Sequence, residues 1–142
     1  MEEIREIREI HELCERAVEM RAFSYTPYSH FRVGAALLTG SGKVYTGCNI
    51  ESASFTPTIC AERTAIFKAV SEGEKDFLAI AIAGGPEDGE IQYCPPCGVC
   101  RQVLAEWCSA DFRIFLARSA EDYRSYTLDE IMPLRFGPEN LR

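Results

Sequence analysis

Phe77 to Ala83 (FLAIAIA) form an unbroken apolar run. A strand with one wet face would alternate apolar and polar residues, whereas a continuous run marks a strand covered on both faces. This run therefore predicts a central strand with helices above and below it, and the surrounding segments supply them. The first, about Glu2 to Phe23, reads as an amphipathic helix: Ile4, Ile7, Ile10, Cys14, Ala17 and Val18 recur mostly at steps of three and four. Glu12 and Arg16 add a favourable i,i+4 pair. Val33 to Thr39 (VGAALLT) and Lys43 to Ile50 read as two strands of a hairpin around the Gly40-Ser41-Gly42 turn. Pro57 precedes a helical segment, Thr58 to Glu72, and Gly73 stands where a helix stop is expected.

Pro95 and Pro96 close a loop before a second short helix, Gly98 to Trp107. Arg113 to Ala117 and Tyr123 to Thr127 read as further strands, and Leu128 to Met132 as a short final helix before Pro133 and Pro138. This order predicts an α/β fold, a three-layer α/β/α sandwich with a mixed, about five-stranded central sheet. The sheet is expected to be antiparallel at the hairpin and mostly parallel after it. The length suits a single domain spanning residues 1–142.

The charge balance narrows the partners. Fifteen Lys+Arg against 22 Asp+Glu give a net charge of −7, which argues against a protein built to neutralise a nucleic-acid backbone. No stretch free of charge is long enough to cross a bilayer as a helix. The start, MEEIREIREI, lacks the basic and then apolar pattern of a secretory signal, so a cytoplasmic location is expected. In that compartment the seven cysteines do not form a disulfide framework. Cys14, Cys48 and Cys108 are scattered, but Cys94, Cys97 and Cys100 crowd one Pro- and Gly-containing segment, which points to metal.

The chemistry concentrates in Cys60-Ala61-Glu62 and Pro96-Cys97-Gly98-Val99-Cys100-Arg101. Cys97 and Cys100 lie three apart at a helix start, so both sulfurs face one way. Cys60 lies near the start of the other helix. Helix N-termini carry unpaired N–H groups and partial positive charge, which favour thiolates. Three ligands leave one position of a tetrahedral zinc open, the mark of a catalytic site. Two other readings stand beside this one. Cys94 could be the fourth ligand of a closed structural zinc, or the run Cys94-Pro-Pro-Cys97-Gly-Val-Cys100 could hold a redox pair. Glu62 weighs against both, because a carboxylate two residues after a ligand can reach a zinc-bound water without binding the metal. Zinc lowers the pKa of such a water from about 15.7 towards about 7, less with three thiolate ligands than with imidazoles. Arg63 or Arg101 could offset the thiolate charge.

These motifs, with Tyr28-Ser29-His30-Phe31, Val33-Gly34-Ala35-Ala36-Leu37, Gly47-Cys48-Asn49-Ile50-Glu51 and Phe136-Gly137-Pro138-Glu139-Asn140-Leu141, resemble the zinc-dependent cytidine deaminases of the short-chain, homotetrameric type. The resemblance runs through essentially the whole chain from about Cys14. It implies hydrolytic deamination of cytidine and deoxycytidine to uridine and deoxyuridine, with release of ammonia, in pyrimidine salvage. It implies one zinc per subunit, held by Cys60, Cys97 and Cys100, with Glu62 as proton carrier and Arg63 compensating sulfur charge. It assigns Asn49 and Glu51 to the ribose, Phe31 to the pyrimidine, and Ala53 and Ala61 to further substrate contacts. Phe136 would close the pocket from a neighbouring subunit of a homotetramer. Read without the resemblance, Asn49 and Glu51 could mark a strand's wet side, Phe31 could be a core aromatic, and Phe136 could dock on its own domain.

The partner implied is a small nucleoside, with no nucleic acid and no membrane. Ser52, Phe55 and Arg32 depart from many relatives and bear on the sugar and its preference rather than on the zinc. His30 is expected to support its loop. Trp107 and Cys108 are expected to close a helix's core face, and Cys14 and Cys48 to be small buried residues. A blasticidin-type deaminase is disfavoured by the Asn49 and Glu51 pair.

Overall fold

The computed structural model describes residues 2–142, with side chains described from Glu6 onward, so the Ile4 side chain lies outside the described residues. The chain opens with helix α1 (Glu2–Met20), continued by a 3-10 turn over Arg21–Phe23. Ile10, Leu13, Cys14 and Ala17 are its buried face. Ile7, expected in that face, is 44% exposed. At 100° per residue it falls on the flank of a face centred on Ile10, Cys14 and Ala17, the side on which Val18 is also only partly covered.

Five strands follow among three more helices: β1 (Phe31–Thr39), β2 (Val44–Cys48), α2 (Ala61–Ser71), β3 (Phe77–Pro86), α3 (Gly98–Trp107), β4 (Arg113–Ala117), β5 (Tyr123–Thr127) and α4 (Leu128–Ile131). A second 3-10 turn, Pro138–Leu141, ends the chain. One sheet takes the order β2-β1-β3-β4-β5. β1 is antiparallel to both β2 and β3, β3 and β4 are parallel, and β4 and β5 are antiparallel. The sheet is therefore mixed as expected, but it is not mostly parallel after the hairpin. The helical connections β2-α2-β3 and β3-α3-β4 do join strands that run the same way. The first crossover, however, steps over β1, so its two strands are not neighbours. The short turn between β4 and β5 can only reverse the chain.

The apolar run in β3 divides between the two faces. Ile80 and Ile82 join Ala35, Leu37, Ile114 and Leu116 beneath Ala61, Ala65, Ile66 and Ala69 of α2 and Leu104 of α3. Ala79, Ala81 and Ala83 face the other way with Ala36, Phe115 and Ala117, beneath Ile10, Leu13, Cys14 and Ala17 of α1. The small residues of that second face let α1 lie close. At Gly34 of β1, an added Cβ would overlap the Ala17 carbonyl oxygen and lie 2.9 Å from Arg21 N. Gly47 of β2 plays the same part against α2, where a Cβ would overlap the Ala61 carbonyl oxygen and lie 2.6 Å from Ala65 N. Among the described residues no helix is long and apolar enough to cross a membrane.

Several boundaries differ from the sequence expectation for identifiable reasons. β1 starts at Phe31 and β3 runs on to Pro86 because the two keep pairing, with Phe31 opposite Pro86. β2 stops at Cys48. Beyond it Ile50 makes separate bridges to Tyr25 and Ile59. α2 starts at Ala61 rather than Thr58 because residues 52–58 turn on themselves, Phe55 N donating to Ser52 O at 3.0 Å and Thr58 N to Phe55 O at 2.8 Å. Phe55 has φ +60, a left-handed conformation uncommon for an aromatic residue.

Candidate metal centre

Helices α2 and α3 both begin on a cysteine. Cys60 is the N-cap of α2, and Cys97 is the N-cap of α3. The Cys97 sulfur accepts the Cys100 backbone N–H at 3.4 Å, so sulfur stands where a Ser or Asp oxygen usually caps. Cys100, one turn into α3, is buried. Between the two helix starts the chain runs along α2 and back through the central strand β3, and the ligand atoms of Cys60, Cys97 and Cys100 come within 4.8 Å of one another. The Cys60 and Cys97 sulfurs are 3.6 Å apart. Tetrahedral zinc with Zn–S bonds of ~2.3 Å places its sulfurs ~3.8 Å apart, so the corner suits that ion and its all-thiolate donor set is one zinc favours.

Charge around the corner is arranged for thiolate. Bonds from the Cys100 thiol, then from Arg63 and Cys97, bring the Cys60 pKa down to about 5 against the opposing effect of burial. The proton is correspondingly held on Cys100, whose pKa is pushed up chiefly by its bond to Cys60. Arg63 Nη2 donates to the Cys60 sulfur at 3.5 Å. Arg101, the other cation considered, donates instead to the carbonyls of Pro96 at 2.9 Å and Ile131 at 2.6 Å. It ties the loop before α3 to α4, and of the two cations only Arg63 addresses a ligand sulfur.

Glu62 sits on the first turn of α2, 3% exposed. Burial, and after it the negative charge of Cys60, pushes its pKa up to about 7. A carboxyl so placed can both take and give a proton near neutral pH. Ala61, fully buried, lies between Cys60 and Glu62. Cys94 is not in the cluster. Its sulfur packs on Gly84, where an added Cβ would come within 2.7 Å of it, and burial raises its pKa to about 11. A four-thiolate staple that uses Cys94 does not fit this placement.

A second group of expected residues gathers around the entry to β1. Asn49 Oδ1 accepts from Val33 N at 2.9 Å and Nδ2 donates to Phe31 O at 2.8 Å, which leaves one donor and one acceptor position free. Glu51 Oε1 accepts from the backbone N–H groups of Tyr28 at 3.0 Å and Ser29 at 3.2 Å. Its other oxygen accepts the Ser29 hydroxyl, and these bonds hold the carboxyl pKa below its usual range. Ser29 Oγ in turn accepts Phe31 N at 3.1 Å. Asn49, Glu51 and Phe31 are thus one hydrogen-bonded unit around the entry to β1. Asn49 and Glu51 do not lie along a regular strand, since β2 has already ended, yet both polar side chains turn to the same loop.

Ala53 and Phe136 are not drawn in. Ala53 is exposed in the 52–58 turn. Phe136 is 58% exposed, with its carbonyl held by Gln102 Nε2 of α3 at 2.8 Å. Ser29, which links Glu51 to Phe31, was not singled out from the sequence, and no spacing rule would have found it. His30 supports its loop as expected, with Nδ1 3.3 Å from Glu87 Oε2. Trp107 and Cys108 pack partly buried against the core, and Cys14 and Cys48 are buried, as expected.

Known proteins with this architecture share the chemistry. The family model "Cytidine and deoxycytidylate deaminase zinc-binding region" matches residues 7–115. A cytidine deaminase of Halalkalibacterium halodurans is 46% identical over 91% of this chain and 95% of its own. A blasticidin-S deaminase of Bacillus cereus is 33% identical over 88% of this chain and 90% of its own. The crystal structure of a cytidine deaminase from Burkholderia pseudomallei superposes with a TM-score of 0.79 and 41% identity, covering 89% of this chain and 98% of that one. The family-model match, the sequence identity, the common fold and the near-complete coverage leave one assignment: the chain belongs to the cytidine and deoxycytidylate deaminase family and carries its zinc-binding region.

Proposed function

We propose that this chain hydrolyses cytidine and deoxycytidine to uridine and deoxyuridine, releasing ammonia. The observation that carries the reading is Glu62, a buried carboxyl two residues after Cys60 of three convergent sulfurs and with its pKa pushed up to about 7. Cys60, Cys97 and Cys100 would hold one zinc per subunit, which when bound polarises a water into a nucleophile at neutral pH. Glu62 accepts a proton from the attacking water and passes it to the ring nitrogen beside the carbon that bears the amino group. It then takes the remaining proton from the added hydroxyl and delivers it to the amino nitrogen, so the C=O bond forms as the C–N bond breaks with ammonia as the leaving group. Water supplies the oxygen, and no oxidant or second substrate is needed. Arg63 steadies the sulfur charge through Cys60.

The nucleoside is held by the second group. Asn49 and Glu51 take the sugar hydroxyls, Phe31 lies against the pyrimidine, the Ala61 backbone completes the grip, and the exposed Ala53 backbone reaches the 5′ side across a subunit boundary. Asn49 retains free bonding positions for this task. The Glu51 carboxylate stays ionised and so offers acceptors only. The whole chain, residues 1–142, works as one domain. The chain assembles into a homotetramer, in which Phe23, Phe55 and Phe136, 71%, 72% and 58% exposed in the single chain, would be covered. Phe136 would then complete a neighbour's pocket. A cytoplasmic role in pyrimidine salvage fits this reaction.

The test is the ultraviolet change from cytidine to uridine with zinc-loaded protein. Glu62→Gln is expected to keep its zinc and lose about 10²- to 10⁴-fold in kcat. Full activity in that variant, or no conversion by zinc-replete wild type, would overturn the reading.

A further inference from the structure

Phe31 enters β1 from a backbone that does not favour its direction. The preceding residue, His30, has φ +56, a left-handed conformation that L residues hold only where their surroundings fix it. Its own turn holds one side, His30 N donating to Thr26 O at 3.1 Å, and a single distant residue holds the other. Glu87, just after β3, donates its backbone N–H to His30 O at 2.6 Å. One of its carboxylate oxygens lies 3.3 Å from His30 Nδ1, and the other accepts from Arg32 Nη2 at 2.8 Å. The two contacts fall on either side of Phe31. Arg32 is anchored behind by its Nη1 bonds to the carbonyls of Arg21 and Ala22, each at 3.4 Å. Arg21 completes the lock, donating to Arg32 O at 3.0 Å, Gly85 O at 3.1 Å and Pro86 O at 3.3 Å.

We propose that Glu87 is a positioning residue for the deaminase reaction: by clamping His30 and Arg32 it sets the Phe31 ring against the pyrimidine. The inference rests on the proposed placement of Phe31 at the base and goes beyond it by naming what aims the ring. Two sides of the Phe31 backbone are held from different places. Asn49 and, through Ser29, Glu51 hold it from the sugar side, and Glu87 holds it from the β3 end. Glu87 touches no reacting atom. Its loss weakens substrate grip equally in the ground and transition states, an effect on KM rather than kcat.

Steady-state kinetics on the zinc-loaded enzyme test this, with zinc content and Tm measured alongside. Glu87→Gln is expected to raise KM for cytidine about five- to tenfold with kcat within about twofold, since uniform binding alone is lost. Arg32→Gln, which removes the clamp's other half, should do the same, and the two changes together should be less than additive. In a Phe31→Leu background the Glu87→Gln effect on KM should vanish. An unchanged KM in both clamp variants while Phe31→Leu raises it would overturn the role of Glu87 alone. An effect that persists undiminished in the Phe31→Leu background would do so as well. An unchanged KM in Phe31→Leu itself would overturn the placement of Phe31, and the clamp's function with it.

Discussion

Cys14 sits in the middle of α1 and Cys60 at the cap of α2, on opposite faces of one sheet. The first is sealed among Ile10, Ala17 and the alanines of β3, and burial pushes its pKa up to about 12. The second meets another thiol, an arginine and the N–H end of a helix, and its pKa falls to about 5. One amino acid thus serves as an inert packing residue or as a ligand according to where along a helix it stands. The sheet shows the same division. Its alanine face brings α1 near and carries no chemistry. Its isoleucine face spaces α2 and α3 so that their N-termini converge.

The sharpest way to break this contrast is to change both cysteines alike. Cys60→Ser should lose more than the ~10- to 100-fold in zinc affinity that changes outside the ligand set cost. Cys14→Ser should keep one zinc per chain and lose about 1–3 kcal/mol of stability, because a hydroxyl would enter an apolar site without a partner. Metal analysis and denaturant titration read the two effects, and zinc loss from the Cys14 variant would dissolve the distinction.

The two glycines sharpen it further. Gly34→Ala and Gly47→Ala should each cost about 1–3 kcal/mol by pushing a helix off the sheet. Only Gly47→Ala displaces the turn of α2 that carries Glu62, so only that variant should lose turnover per bound zinc. Equal kinetic losses in both would mean that the faces are not independent. The smallest expected effect is a labelling pattern. At pH 8 an alkylating reagent should leave Cys14 unmodified in native protein, while chelation should open exposed Cys97 to it, as peptide mass mapping would show.

The sequence was most readable where a local pattern and a tertiary role coincide. Gly98–Trp107, Arg113–Ala117 and Tyr123–Thr127 have the bounds their patterns predict. So did the zinc corner, because helix geometry makes Cys97 and Cys100 neighbours and because Glu62 has no use in a closed site. Readability fell where partners are distant. Whether β3 lies beside β2 as a parallel pair or beside β1 as an antiparallel one depends on which side of the hairpin the chain re-enters, and no local pattern records that. Arg32 and Glu87 are 55 residues apart, so neither could be assigned to the other in advance. The fate of Arg101 was equally hidden, since its carbonyl partners are backbone atoms that any residues would provide.

Cys60 and Cys97 stand 37 residues apart, with all of β3 between them. Their sulfurs meet only after that strand has slotted in beside β1 and the chain has risen again into α3. Capture of an ion by the full trio therefore requires that strand in its place and is a certificate of correct assembly. A chain with its strands in the wrong order offers at most fragments of the binding corner. The ion that equips the finished molecule for chemistry also closes a long loop, so misassembled copies are denied both the reagent and the cross-link.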